Sequence, residues 1–98
     1  MKPSVCRIVE VFTDPYYNNG SDTAPAVITR VWDDGLINVR VLHDGPPVPP
    51  EHRQDWLTSI PLHESRDAAV ISHAAKWEHL EPEARPERPF GAFWPPRV

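Results

Sequence analysis

The chain has 98 residues, enough for one domain around one small core. Thirteen prolines against four glycines disfavour a helical bundle, because proline breaks helices and central strands. Ten basic residues (eight of them arginine) against fourteen acidic ones, net charge −4, do not make the basic footprint that binding duplex nucleic acid requires. The single cysteine, Cys6, excludes an intramolecular disulfide and a cysteine-based zinc cage. No apolar run approaches the roughly 20 residues of a membrane span. Met1-Lys2-Pro3-Ser4 leads into Val5-Cys6-Arg7-Ile8, too short and too charged for a signal peptide. The expectation is a soluble cytoplasmic protein with no membrane partner.

The first strand is predicted over Val5–Thr13, rich in β-branched residues, with Cys6 as a small core residue. Asp14-Pro15 ends it, and 16–22 reads as an exposed loop with a turn at Asn19-Gly20-Ser21. Two β-rich runs, Ala26–Trp32 and Leu36–Leu42, flank Asp33-Asp34-Gly35. A three-residue loop opposes Val31 to Ile37, Thr29 to Val39 and Val27 to Val41, one consistent apolar face. Gly35 then takes the left-handed position such a loop requires. The opposite face would carry Trp32, Leu36, Arg30, Asn38, Ile28 and Arg40. That mixture is either covered by another segment or forms a partner or ligand surface.

His43-Asp44-Gly45 ends that strand, and Pro46-Pro47-Val48-Pro49-Pro50 reads as a stiff extended connector. Asp55–Ile60 is a predicted fourth strand, stopped by Pro61. Ser65–Leu80 has two readings. In one, Ser65 caps a helix with Val70, Ala74 and Trp77 on one stripe. In the other, only Ser65–Ala75 is helix or loop, and Lys76–Leu80 is a fifth strand. Residues 1–81 form the expected domain and 82–98 a proline-rich C-terminal arm. Phe90, Phe93 and Trp94 fall within five residues, a density that a disordered tail rarely carries. They are expected to dock, on the chain's own barrel or on a neighbouring copy, which would make a homo-oligomer.

No constellation for catalysis emerges. The five histidines, His43, His52, His63, His73 and His79, show no convergent metal-ligand spacing, since His73 and His79 lie six apart. Ser59 and Ser65 lack a nucleophile elbow, and four scattered glycines build no phosphate loop. The residues point to a non-enzymatic protein without metal or cofactor. Its candidate contact residues are Arg30, Trp32, Asn38, Arg40, Phe90, Phe93 and Trp94. Arginines and aromatics also suit single-stranded nucleic acid, although the acidic balance argues against it.

Ala26-Val27-Ile28-Thr29-Arg30-Val31-Trp32, Ile37-Asn38-Val39-Arg40-Val41, Asp44-Gly45 and Thr58-Ser59-Ile60-Pro61 resemble a recurring pattern. It belongs to short uncharacterised proteins of tailed bacteriophages and prophages. Lys76-Trp77-Glu78-His79-Leu80-Glu81-Pro82 is similar to a divergent form of their closing tryptophan-rich segment. The resemblance covers roughly residues 5–82. It implies a mostly β fold, a small SH3-like five-stranded antiparallel barrel, with Lys76–Leu80 as the fifth strand. It also implies a phage or prophage origin and a place in the bacterial host cytoplasm or on the virion. The expected partners are a host protein, a virion protein or a small nucleotide-like ligand. The expected roles are blocking or sequestering a host factor or a nucleotide-derived defence signal, or acting as a virion decoration or adaptor subunit.

Overall fold

A computed structural model describes residues 2–46, 49, 51, 55–86 and 88–96. The chain is mostly β, with β1 (Ile8–Phe12), β2 (Thr23–Val31), β3 (Ile37–Val41), β4 (Trp56–Ile60), β5 (Leu62–His63) and β6 (Ala92–Phe93). Among the described residues one α-helix, α1 (Arg66–Trp77), lies between β5 and β6 in sequence. The six strands form one sheet in the order β4-β3-β2-β1-β6-β5. β4 and β5 sit at opposite ends of that order, yet only Pro61 separates them. Residues 56–63 therefore act as one bent strand that brings the sheet back on itself. The result is a small, nearly closed barrel of SH3-like type.

Closure is specific at the atomic level. The Pro61 carbonyl accepts from the Ala92 N–H at 2.8 Å, and the His63 carbonyl accepts from the Trp94 N–H at 3.1 Å. β5 pairs with β6 in parallel, whereas every other pairing is antiparallel. Proline suits the corner because it has no N–H to leave unpaired where the strand changes partner. Gly91 faces that corner with φ +116°, and a Cβ there would lie 2.9 Å from the Pro61 carbonyl oxygen.

The three-residue hairpin loop forms as the sequence predicts. Gly35 has φ +89°, its N–H reaches the Trp32 carbonyl, and Val31 opposes Ile37. Beyond that pair the register departs from expectation. The pairing shifts between Ile28 and Arg30, leaving Thr29 as an extra residue, so Ile28 rather than Thr29 opposes Val39. A bulge of this kind re-aims every side chain beyond it. Ala24, Ala26 and Ile28 become the buried set of β2, and Val27 turns to the outer face. Ile37, Val39 and Val41 are buried as the pattern requires. With Val9, Val11, Ile60, Ala92 and Trp94 they make the core.

Four further expectations are corrected. β1 begins at Ile8, not Val5, and Cys6 is exposed with φ +77°, not in the core. Lys76–Leu80 is not a strand, because Ser65 caps a helix that runs to Trp77 and the fifth and sixth strands come from 62–63 and 92–93. The stripe of α1 that packs inward is Ala69, His73 and Trp77, while Val70 and Ala74 face outward. The segment read as an arm supplies β6, so it docks on its own sheet between β1 and β5. Of the expected proline connector, Pro47, Val48 and Pro50 lie outside the described residues, as does His52.

Two polar devices hold the periphery. Asn18, fully buried, places Nδ2 within 3.2 Å of Thr13 Oγ1 and of the Ser21 and Thr23 carbonyls. Its Oδ1 accepts from the Asp44 N–H at 2.7 Å. One side chain thus fixes the exits of β1 and β3 against the entry of β2. Arg66 at the start of α1 pairs with Asp22 at 2.7 Å, and this hydrogen bond holds the Asp22 carboxyl below its usual range.

Replacing Gly91 by alanine should lower stability by about 2–4 kcal/mol, from the positive φ and the clash with Pro61. Gly35→Ala, with open space around its Cβ, should cost only about 1 kcal/mol. Urea midpoints of the two variants measure the difference, and equal midpoints would place the closure elsewhere. The Asp22–Arg66 pair stabilises the fold above the unfolded carboxylate pKa of about 3.9 and loses that contribution as pH falls through the lowered folded value. Arg66→Gln should therefore differ from the parent by less than about 1 kcal/mol at pH 7, since both partners are half-exposed, and the difference should shrink as the Asp22 carboxylate is protonated at acid pH.

Candidate functional site

The hairpin loop sets Trp32 at the rim of the outer face of β2 and β3. Its N–H bonds to the Leu36 carbonyl at 2.8 Å, and Asp34 Oδ1 accepts from the Leu36 N–H at 3.0 Å. Asn38, on β3 opposite Arg30, directs Oδ1 at this rim. That oxygen accepts from Trp32 Nε1 at 2.8 Å and from the Ser59 N–H at 2.8 Å. Ser59 can offer its N–H because a bulge in β4 gives it φ +52°. The Arg30 guanidinium lies 4.1 Å above the Trp32 ring centroid, a cation–π stack. Arg30, Trp32 and Asn38 therefore form one unit, with the indole fixed at both its polar edge and one face.

The neighbouring row crosses four strands. Ile8 opposes Val27, Val27 opposes Arg40, and Arg40 opposes Trp56. Arg40 and Asn38 are two residues apart on β3, so the rows lie about 6.6 Å apart on the same side of the sheet. Arg40 pairs with Asp55 at 3.5 Å. Trp56 is 48% exposed, Ile8 47% and Trp32 38%. The depression beside Trp32 is shallow and lined by Trp32, Asp33, Asp34 and Ser59, with no arginine among the described residues. At the end of β3, burial lowers the pKa of His43, with the Asp55 charge opposing.

The expected residues thus divide. Arg30, Trp32, Asn38 and Arg40 share one face. Phe93 and Trp94 do not join it. Phe93 is 2% exposed, with its ring 5.1 Å from that of Phe12, and Trp94 packs into the core below Arg7. Two large rings gain more from burial under the closing strand than from exposure. Phe90 is exposed but lines a separate groove beside α1. Ile28 leaves the predicted face for the core. Trp56, Val27 and Ile8 replace it, and the sequence pattern hid them because the bulge at Thr29 reverses which residues of β2 point outward.

A second concavity of about 710 Å³ opens between the 16–19 and 44–49 loops, lined by Tyr16, Tyr17, Asn19, Asp44 and prolines. Among the described residues no helix is long and apolar enough to cross a membrane. Compared with known proteins, the chain matches no family model, no curated protein and no solved structure.

Asn38→Leu keeps the side-chain size but leaves the Trp32 indole and the Ser59 amide without their shared acceptor. The expected cost is about 1–3 kcal/mol, with the Trp32 indole N–H resonance shifting to a solvent-exposed position in a proton NMR spectrum. An unchanged resonance would mean that Asn38 does not hold Trp32.

Proposed function

We propose that this chain is a non-enzymatic binding module that engages a protein partner through the outer face of β2, β3 and β4. The observation that carries this reading is the state of the two arginines. Arg30 is stacked on Trp32 and Arg40 is paired with Asp55, so neither is left to converge on a phosphate. Around them lie Trp56, Ile8 and Val27, a low apolar relief without a cavity at its centre. A tryptophan and two arginines engaged by intramolecular contacts on the outside of the barrel suit a protein contact, where pre-ordered anchors lose little entropy on binding. A trap for a nucleotide-derived signal would instead call for a concave site with free arginines. A single-stranded nucleic acid could stack on Trp32 and Trp56, but Asp33, Asp34 and Asp55 flank them and repel its phosphates.

The resemblance to tailed-phage proteins supplies the class of partner. A phage accessory protein of this kind would block a host protein in the bacterial cytoplasm or bind a neighbouring virion subunit. Both uses need the same flat, partly apolar contact. Oligomerisation through the arm would require Ala92–Phe93 to leave their own sheet for another.

The test combines two measurements on protein purified from bacterial cells. Native mass spectrometry should find no releasable small mass that depends on Trp32 or Arg30. A photo-cross-linking residue at position 56 should yield a protein adduct that Trp32→Ala and Arg30→Ala each abolish, with the chain still folded. A releasable nucleotide-sized mass that Trp32→Ala or Arg30→Ala removes, or saturable quenching of tryptophan fluorescence by an oligothymidylate that Trp32→Ala abolishes, would overturn the reading.

A further inference from the structure

A second candidate site lies on the other side of the molecule's closure, between α1 and the tail. Ser72, His73, Lys76 and Trp77 occupy one face of α1 by helical spacing, and His63 and Phe90 complete the walls of a groove of about 330 Å³. The position of each wall follows from the fold. His63 sits on β5, and Phe90 precedes Gly91, which packs against the Pro61 corner.

The chemistry of this groove is unlike the rest of the chain. The protein carries more acids than bases, yet no carboxylate is among the described residues lining it. Three groups able to carry positive charge, His63, His73 and Lys76, line the same space. The Lys76 ammonium rests 5.2 Å from the Trp77 ring centroid, with no carboxylate in ion-pair range among the described residues. His73 Nε2 lies 3.4 Å from the Pro86 carbonyl oxygen, which ties the helix to the tail beside the opening. Trp77 and Phe90 provide flat apolar walls. The volume is near the lower end of small-molecule sites, about 300–1,000 Å³, so it suits one compact ligand rather than a peptide strand.

We infer that this groove binds a small planar anion of the nucleoside monophosphate class. The base stacks against Trp77 and Phe90, where any base offers a π-face. The phosphate meets Lys76, with His63 and His73 as further donors, in charge-assisted hydrogen bonds. The Ser72 hydroxyl is placed to take a sugar or phosphate oxygen. This site is independent of the protein contact on the β2–β3–β4 face and stands whether or not that contact is correct.

The experiment is an NMR titration of the full chain with AMP, with adenosine and inorganic phosphate as half-ligands. AMP should shift the Trp77 indole and the His73 and Lys76 amides saturably, and each half-ligand should bind more weakly. Lys76→Glu should weaken AMP by about tenfold or more with Lys76→Gln intermediate, each with the chain still folded by its amide spectrum, since Lys76 is exposed at the last turn of α1. Trp32→Ala should leave the titration as it was. No saturable shift at millimolar AMP, shifts centred on Trp32, or an affinity indifferent to Lys76 would each overturn the inference. So would tighter binding of an acidic peptide than of AMP, which would give the groove to a protein ligand.

Discussion

The structure depends on one close approach, the meeting of Gly91 with Pro61. Without that approach β5 has no strand neighbour, and the sheet ends at β6 as an open ribbon. When they touch, the Pro61 and His63 carbonyls find donors on β6 and the bent strand joins both ends of the sheet. The apolar residues of β1, β2 and β3 then face one another across a common interior rather than a solvated surface. Trp94 enters that interior only because Gly91 permits the turn that precedes it. A small domain buries a modest fraction of its surface, so one large ring added to the core matters more here than in a larger protein.

The same closure sorts the aromatic residues into two kinds. Phe93 and Trp94, one residue apart and on opposite sides of β6, are spent on the fold, one against Phe12 and the other in the core. Trp32, Trp56, Trp77 and Phe90 keep substantial surface at two separate places. On the sheet, the polar edge of Trp32 is fixed by Asn38 and the arginines are occupied by intramolecular partners. Beside the helix, Lys76 lies on the Trp77 ring and has no carboxylate in ion-pair range among the described residues. The two places therefore favour different chemistry, a preformed apolar relief in one and a receptive charge in the other.

Much of this was legible in the residues, for identifiable reasons. The Asp33-Asp34-Gly35 loop was readable because a positive φ at its third position selects glycine, and Ser65 because an N-cap needs a short oxygen-bearing side chain. The grouping of Arg30, Trp32, Asn38 and Arg40 followed from correct alternation near the loop and on β3. The bulge at Thr29 was not readable, since Val27, Thr29 and Val31 alternate as well as Ala26 and Ile28 do. What decides between them is the space left inside the barrel, where alanine fits opposite the other strands. Lys76–Leu80 alternates like a strand, yet it continues a capped helix whose inward stripe is set by contact with β5 and β6. The tail's strand was hidden because two residues carry no periodicity.

The strand that joins β1 to β5 comes from residues 92 and 93, some eighty positions after the strand it first touches. During synthesis the β1–β2–β3 meander can assemble from local contacts long before its last neighbour leaves the ribosome. Throughout that interval β1 exposes an unpaired edge, and the pocket meant for Trp94 is empty. Such an edge is a template for pairing with another chain. The order of the sequence therefore builds in a stage at which β1 is open to pairing, and that stage lasts until residues 92 and 93 are in place.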